Sequence, residues 1–323
     1  MNHLVLALVQ LALVLSLAPL SVGLTRFFKA RFQGRHGAAP WLPYLTLVTL
    51  LRKENVIYPA ASWMFRATPF VVLTTALFLA LTLPLTGFGQ FAAELSNFIV
   101  VAAVLALGAA FLVMGALDTG SAFGGMGASR EMTLAALLEP TVILTFAALA
   151  VITGTSNVSE MVGVLAGSHP WFPVVAIPTL LLPILTLGLI ALAENARYPV
   201  DNPATHLELT MVHEAMVLNY SGPYLAMLEY ASALKLTIFA LLIANIILPV
   251  PLLNGPMSVS GALLAVVLVA VVSLGKLIVT MFGVALLEST IAKMRFYRVQ
   301  EYLTAIFFMS LAGLVLAILV DLA

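Results

Sequence analysis

Eight stretches of almost purely apolar residues divide the sequence, and they constrain the fold more than any other feature. A helix that spans a bilayer needs about 20 mainly apolar residues, because its length must match the hydrocarbon core. Only helices and closed barrels satisfy every backbone polar group in lipid. The sequence therefore predicts an all-α, polytopic integral membrane protein with about eight transmembrane helices, forming a single domain over residues 1–323. The stretches are roughly 4–24, 69–85, 98–117, 134–152, 174–193, 236–249, 259–287 and 303–322.

The composition agrees with this class and excludes several functions. Hydrophobic residues make up 62% of the chain and charged residues 9%, against about 25% charged residues in a soluble domain. The formal net charge is zero, which argues against a nucleic-acid partner and leaves the lipid bilayer as the first environment. There is no cysteine, so this chain supplies no thiolate ligand for an iron–sulfur cluster or another metal.

Only alternate connections between the stretches contain lysine or arginine. These connections are about 25–68, 118–133, 194–235 and 288–302. The positive-inside rule predicts that they are cytoplasmic and that both termini lie outside. A cleaved signal peptide is disfavoured for the first stretch, because the residues before it provide no cationic segment.

The first basic loop begins directly after the first stretch. Gly34 and Gly37 predict the end of that helix, and residues 42–51 predict a short interfacial helix that is too short to span. Arg31 and Arg35 either anchor the first helix at the lipid headgroups or bind a carboxylate of a partner subunit.

The second basic loop is rich in glycine, which lets a neighbouring backbone approach closely. Ser129 is predicted to cap the helix that follows it. A phosphate-binding loop is rejected, because no strand precedes these glycines and no Gly-Lys-Ser/Thr sequence follows them.

The most polar segment of the chain lies between the fifth and sixth stretches. Pro199 and Pro203 prevent a continuous helix, and Asn202 is suited to cap a new helix from Pro203 to about Leu218. On that helix a polar stripe is expected, with Glu208 pointing away from it. The stripe comprises His206, Thr210, His213 and Glu214.

This polar segment has three interpretations. A zinc site with two histidines remains open, although the spacing lacks a second histidine one turn after His213. A solvated polar helix is the simplest alternative. Clustered carboxylates repel one another, so some of them should exchange protons near neutral pH, and we favour a proton path. The acidic residues concerned are Glu194, Asp201, Glu208, Glu214 and Glu229.

Three ionisable residues lie inside the predicted spans, where each is by default a functional-site hypothesis. Glu139 is in the fourth span, while Lys276 and Glu288 are in or near the end of the seventh. Twelve residues of helix separate the last two by about 18 Å, so each needs another partner. A salt-bridged acid at Glu139 and a structural Lys276 are the simpler alternatives.

Motifs distributed along nearly the whole chain resemble two related families of membrane subunit. One set resembles the H-type subunit of respiratory complex I: Glu194-x-x-Arg197-x-Pro199-x-Asp201-x-Pro203, Glu208-Leu209, Tyr220-Ser221-Gly222 and Ala30-Arg31-x-Gln33-Gly34-Arg35-x-Gly37. The other resembles the formate hydrogenlyase subunit 4 family of group 4 membrane-bound nickel-iron hydrogenases: Trp63-x-Phe65-Arg66-x-x-Pro69, Asp118-Thr119-Gly120-Ser121-x-Phe123, Gly127-Ala128-Ser129-Arg130-Glu131, Glu139-Pro140, Thr205-His206-Leu207-Glu208-Leu209-Thr210, Lys276 and Glu288-Ser289-x-x-Ala292-Lys293-x-Arg295.

This resemblance implies a membrane anchor of the cytoplasmic (inner) membrane that couples a peripheral redox arm to proton or sodium translocation. The implied partners are hydrogenase-like large and small subunits, an iron–sulfur subunit and antiporter-like membrane subunits. Nickel-iron and iron–sulfur centres would be bound by those partners and no cofactor by this chain. The implied proton path is Glu139, Glu194, His206, Glu208, His213, Glu214, Glu229, Lys276 and Glu288. The implied contacts with the redox arm are Arg31, Arg35, Arg130, Arg197, Asp201 and Arg295.

Several positions depart from the complex I pattern. Ala204 and His206 stand where complex I has acids, Asn219 replaces a frequent glutamate, and Thr46 and Thr49 replace an acid and a lysine. Fewer carboxylates at the arm interface argue against ordinary quinone chemistry, and they leave open a hydrogenase-related complex whose large subunit lacks the metal site. The other two alternatives are the quinone-chamber subunit of an NADH:quinone oxidoreductase, which would bind a quinone, and a self-contained transporter. No internal repeat supports the transporter.

Overall fold

The computed structural model describes residues 3–59, 61–86, 93–167, 177–201, 212–248, 259–291 and 296–322. Within these ranges the chain is helical and contains no strand, apart from one isolated bridge between Asn97 and Asn157. A short 3-10 helix covers Ala93–Ser96. The α-helices are α1 (His3–Phe32), α2 (Leu42–Leu51), α3 (Trp63–Thr82), α4 (Phe98–Asp118), α5 (Ala122–Thr153), α6 (Val158–Gly167), α7 (Ile177–Glu194), α8 (His213–Val217), α9 (Gly222–Ile247), α10 (Val259–Thr290) and α11 (Phe296–Asp321).

The described helices confirm a polytopic membrane protein. Seven of them, α1, α3, α4, α5, α9, α10 and α11, are long and apolar enough to cross a bilayer. The predicted fifth span corresponds to α7, whose apolar part in the described residues, Thr179–Glu194, is shorter than a full span.

Helix α9 is the centre of the bundle. Its most apolar window is 72% buried, compared with 28–44% in the other six spanning helices. It packs against α1, α2, α3, α7 and α10. Around it, α5 and α11 form one closely packed pair and α3 and α4 another. A polar group on α9 is therefore enclosed by protein and can reach several neighbouring helices.

Helix α5 begins well before its predicted start, so most of the predicted loop 118–133 is helical. The side chain of Ser121, rather than Ser129, caps this helix by accepting a hydrogen bond from the backbone N–H of Gly124 at 3.1 Å. Ser129 lies inside the helix, and its hydroxyl donates to the carbonyl of Met126. The prediction failed because glycines suggest a loop, whereas here they permit close packing.

Gly127 shows this packing directly. A Cβ atom built on it would lie 2.9 Å from the carbonyl oxygen of Val212 and 3.0 Å from the Cβ of Ala215. The predicted close approach of a neighbouring backbone is thus confirmed, and α8 lies against the start of α5.

Other helix boundaries also differ from the prediction. Helix α9 starts at Gly222, 14 residues before the apolar stretch that begins at residue 236, because polar residues interrupt its buried face. Helix α3 starts at Trp63, where the side chain of Ser62 accepts from the N–H of Met64. The end of α1 at Phe32 and the ten-residue α2 agree with the prediction.

Candidate functional site

The polar residues of α5, α7, α8 and α9 meet at a cavity inside the bundle, here called the acid cavity. Apolar residues of α3 and α4, among them Val72 and Leu105, line one side of it. The other side is polar, and it contains Glu131, Glu194, Asn195, His213, Ser232 and Lys235. Two carboxylates, an imidazole and an ammonium group therefore share one partly apolar space.

Glu194 and Lys235 form an ion pair across this cavity. Their side chains are 10% and 26% exposed, and the Lys235 ammonium donates to the Glu194 carboxylate. Glu194 is the last residue of α7, and Lys235 is in the middle of α9. The pair therefore connects the end of a short apolar helix to the central helix of the bundle.

His213 stands at the start of α8, held there by Asp201. The Asp201 carboxylate is buried and accepts hydrogen bonds from the backbone N–H of Val212 at 3.0 Å and of His213 at 3.4 Å. The pKa of His213 is lowered from 6.5 to about 4, chiefly by burial and then by the nearby Lys235, while Asp201 acts in the opposite direction. The imidazole is therefore neutral at pH 7 and offers a lone pair as well as an N–H group.

A second cavity, here called the loop cavity, adjoins the acid cavity. Asn195, Ala196, His213 and Ser232 line both. The remaining polar residues of the loop cavity are Arg26, Arg197, Asp201, Glu214 and Glu229. Asn195 is 8% exposed, and its amide Nδ2 donates to the carbonyl of Ala191. Its Oδ1 has no hydrogen-bond partner among the described residues, so it can accept from water between the two cavities.

A third space, here called the side cleft, opens between α4 and α5. It is lined by small residues of α4, by Glu131 and Glu139 of α5, and by Glu194. Glu131 and Glu139 are eight residues apart on one helix and lie on related faces two turns apart. The side cleft and the acid cavity share Glu131 and Glu194. The acidic groups thus form a connected series from the loop to the outer face of α5.

Glu288 belongs to a buried ion network that adjoins the loop cavity at Arg197. Its carboxylate is 1% exposed and is bound by Lys29 at 3.0 Å and by Arg197 at 3.3 Å. Lys29 also lies 4.3 Å from the centre of the Tyr198 ring. Arg197 is only 8% exposed and Asp201 2%. Both belong to the predicted contacts with a redox arm, which remain a prediction; within this chain their side chains are buried and bind other groups of the protein.

Lys276 lies apart from all of these groups. Its ammonium donates to Asn245 Oδ1 at 2.6 Å and to the carbonyl of Leu248, at the end of α9. Asn245 in turn donates to the carbonyl of Pro84. As predicted, Lys276 and Glu288 have different partners. The position of Lys276 is electrostatically favourable, because it places a cation at the C-terminus of a helix. The role of Lys276 in a proton path remains a prediction.

The other predicted residues fall into two groups. Arg31 and Arg35 are exposed near the end of α1, where a partner can reach them, and Arg130 is partly exposed on α5. Glu214 and Glu229 are exposed at the loop cavity. His206, Glu208 and Arg295 lie outside the described residues, as do Thr210 and the predicted helix start at Pro203. In the part of the chain that is described, no group of three or more potential metal ligands occurs.

Three functional residues were missed from the sequence. Glu131 was assigned to a loop, although its spacing of eight residues from Glu139 would have placed both on one helix if α5 had been started correctly. Lys235 is the last residue of the predicted loop 194–235 and was in no predicted site, yet it is the partner of Glu194. Lys29 lies in the first basic loop and was in no predicted site, and its contact with Glu288 across 259 residues has no local signal.

Among the described residues, this arrangement has the chemistry that the relay of a proton requires. Neutral His213, the unpartnered Asn195 Oδ1 and the acids of both cavities are groups that accept or release protons or bind water. Lys235 and Arg26 place positive charge beside these acids, and a change in that charge alters the proton affinity of the acids.

Comparisons with known proteins show the family of this chain. A family model described as NADH dehydrogenase matches residues 4–319. Hydrogenase-4 component C of Escherichia coli K12 is 32% identical over 297 residues, covering 92% of this chain and 90% of that protein. Formate hydrogenlyase subunit 4 of the same organism is 29% identical over 290 residues, covering 89% and 90%. The H-type subunit of the NADH-quinone oxidoreductase of Rubrobacter xylanophilus is 26% identical over 220 residues, covering 66% and 64%.

One solved structure has the same fold. A chain of the membrane-bound sulfane sulfur reductase, an archaeal respiratory membrane complex, aligns with a TM-score of 0.78. The alignment covers 98% of this chain and 100% of that one at 17% identity. At this identity the similarity concerns the fold alone.

Proposed function

This chain belongs to the NADH dehydrogenase family, and from that membership we propose that it is the membrane coupling subunit of a hydrogenase-type or formate-hydrogenlyase-type complex. In this role it anchors a peripheral redox arm and passes the energy of the redox reaction on as proton or sodium movement. Its relatives in hydrogenase-4 and formate hydrogenlyase support this choice.

The observation that carries the proposal is the connection between the acid cavity and the side cleft. Glu131 and Glu194 line both spaces. A charge change at the loop cavity, where a redox arm would bind, therefore acts on carboxylates that continue to the outer face of α5. Enclosed charges interact more strongly than exposed ones, because water screens them less.

The proposed partners follow from what this chain lacks. It has no cysteine, so nickel-iron and iron–sulfur centres would be held by large, small and iron–sulfur subunits of the arm. Arg31 and Arg35 are exposed and suited to bind carboxylates of that arm. Antiporter-like membrane subunits would receive the transmitted charge, and the complex would reside in the cytoplasmic (inner) membrane.

The proposal is tested by Glu131→Gln in the intact complex. We expect dye-linked redox activity to persist while proton uptake into inside-out vesicles, measured by fluorescence quenching, falls by at least about tenfold, equivalent to about 1.4 kcal/mol in the coupled step. Glu160→Gln is the matched control, because Glu160 is an exposed acid on α6 remote from the cavities. Undiminished proton uptake in Glu131→Gln would contradict the proposal. Repeating the assay with a sodium ionophore distinguishes protons from sodium.

Complex I proper is the second candidate, because the chain also resembles the H-type subunit of an NADH-quinone oxidoreductase. The acid cavity has an apolar wall on α3 and α4, as a quinone head group would require. Inhibition of the complex by quinone-site inhibitors would favour this candidate over the first, provided that the inhibitors still bind to a Glu131→Gln complex.

A further inference from the structure

Glu139 lies on the outward face of α5. Met132, Ala136, Glu139 and Ile143 are spaced by four, three and four residues, and all four are exposed. This spacing places them on one side of the helix. Three of the four are apolar, as expected for a surface that faces lipid or another membrane helix. Glu139 is the exception.

The depth of Glu139 makes this exception informative. It follows Ala122 by 17 residues and precedes Thr153 by 14, so it lies roughly 25 Å and 21 Å from the two helix ends. A hydrocarbon core about 30 Å thick therefore surrounds it. A carboxylate that faces acyl chains at this depth is strongly unfavourable. Within the described part of the chain, no hydrogen bond or salt bridge engages this carboxylate.

Towards the interior of the protein, Glu139 lines the side cleft. Ala102, Ala106 and Ala109 of α4 line the side cleft opposite α5, and their spacing of four and three residues puts them on one helix face. Their small side chains leave the space through which Glu139 is connected with Glu131 and Glu194. Glu139 thus stands between an internal acidic cavity and the outer surface of the chain.

We propose that the outward face of α5 around Glu139, comprising Met132, Ala136, Glu139 and Ile143, is the contact surface for a neighbouring membrane subunit. The helix of that subunit places a lysine, arginine or histidine beside Glu139. This inference rests on the proposed coupling function and names where the transmitted charge leaves the chain. It places the exit at Glu139 and not at Lys276 or Glu288, which are other members of the proton path that the resemblance implies.

Charge decides the kind of partner. A basic side chain satisfies the carboxylate in a medium where no water does so. A second copy of this chain would bring the same face against itself in a two-fold contact, and would place one Glu139 near the other. Like charges so placed repel, so a different subunit is the better occupant.

The contact is tested by photo-crosslinking in the intact complex. The photoreactive amino acid p-benzoylphenylalanine is placed at Ile143, and in a second experiment at Ala136. Both should yield a crosslink to a membrane helix of another subunit, with a basic residue within about one turn of the crosslinked position. Phe308, 60% exposed and in the middle of α11, is the depth-matched control and should not yield that peptide.

Charge reversal tests the specific pairing. Glu139→Lys should lower the amount of that partner recovered with the complex by at least about tenfold. Replacing the basic residue found by crosslinking with glutamate should restore recovery in the Glu139→Lys background. Crosslinks to lipid alone, to a second copy, to a peripheral subunit or to a helix without a basic residue would overturn the inference.

A failure of this inference can be distinguished from a failure of the proposed function. Crosslinking and recovery report contact and not proton movement. A crosslinked partner with unimpaired proton uptake in Glu131→Gln would preserve the contact surface and reject the coupling path. If proton uptake falls in Glu131→Gln but no membrane subunit is crosslinked, only the contact surface is rejected.

Discussion

The carboxylate of Glu288 is enclosed by Lys29 and Arg197, and its side chain is 1% exposed. Removing one member of a buried ion network leaves uncompensated charge, which typically costs about 3–5 kcal/mol. We therefore expect Glu288→Gln to lower the thermal stability of the purified complex or the amount of this chain in the membrane. This effect is measured by heating the purified complex and recording the fraction that remains intact at each temperature.

Glu301→Gln provides the control for Glu288. Glu301 is an exposed acid near the start of α11, and its substitution should change the melting temperature little. Equal melting temperatures for Glu288→Gln and Glu301→Gln would show that the ion network contributes little to stability.

His213 gives the molecule a local dependence on pH. Its pKa is lowered from 6.5 to about 4, chiefly by burial and then by Lys235, with Asp201 acting in the opposite direction. Above pH 6.5 the imidazole is neutral in both folded and unfolded chains. Between pH 6.5 and pH 4 only the unfolded segment takes up the proton, so acidification favours unfolding around α8.

Limited proteolysis of the complex between pH 7.5 and pH 4.5 tests this dependence. Cleavage between α7 and α9 should increase as the pH falls below 6.5. His213→Gln, which cannot take up the proton, should reduce that increase. The same pH profile in wild type and variant would assign the effect to another group.

At the level of elements, the contact between α5 and α8 depends on Gly127. A Cβ atom at this position would lie 2.9 Å from the carbonyl oxygen of Val212, so Gly127→Ala must push α8 away. Overpacking of this kind typically costs about 1–3 kcal/mol. We expect Gly127→Ala to lower the melting temperature of the complex and to increase proteolysis near His213.

Gly125 is the matched control two residues away on the same helix. A Cβ atom at Gly125 meets no other atom within 4 Å, and alanine is a better helix former than glycine by about 1 kcal/mol. Gly125→Ala should therefore maintain or raise stability. If both substitutions destabilised the complex equally, the packing at Gly127 would not explain the result.

The elements also show which features a sequence can predict. Uninterrupted apolar stretches gave α4 and α10 almost correctly, because lipid requires such composition over a whole span. The predicted starts of α9 and α5 were both too late in the sequence. The first turns of these helices contain polar residues or glycines, which pack against other helices and not against lipid. Amphipathic or small-residue segments are read correctly only when the packing partner is known.

The candidate site could be predicted only in part for the same reason. The clustering of acids around Glu194 is evident in the sequence. Their partners are not, because Lys29, Lys235 and Glu131 come from distant helices that are brought together by the fold. Charge in a membrane protein marks the functional region, whereas three-dimensional packing determines which charges meet.

At the scale of the whole molecule, several basic groups gather at one end of the bundle. Lys29, Arg197 and the end of α10 meet there, whereas Lys276 binds Leu248 towards the other end. At the other end, the start of α4 and the loop after α5 meet through hydrogen bonds between Ser96 and Asn157 and between Asn97 and Ser156. Among the described residues of these opposite connections, 83–86, 93–97 and 154–157, there is no lysine or arginine. This asymmetry supports the predicted orientation, with the basic end in the cytoplasm.

Single introduced cysteines test the orientation, because this chain has no cysteine of its own that could be labelled instead. Gln33 and Ser156 are exposed at the two ends of the bundle. A membrane-impermeant maleimide added to intact cells or spheroplasts should label Ser156→Cys directly and Gln33→Cys only after permeabilisation, because the Gln33 loop contains the basic residues that the positive-inside rule retains in the cytoplasm. Labelling of Gln33→Cys from outside would reverse the orientation. It would also place the acid and loop cavities on the face opposite to a cytoplasmic redox arm, and the proposed coupling would then lack its electron-transfer partner.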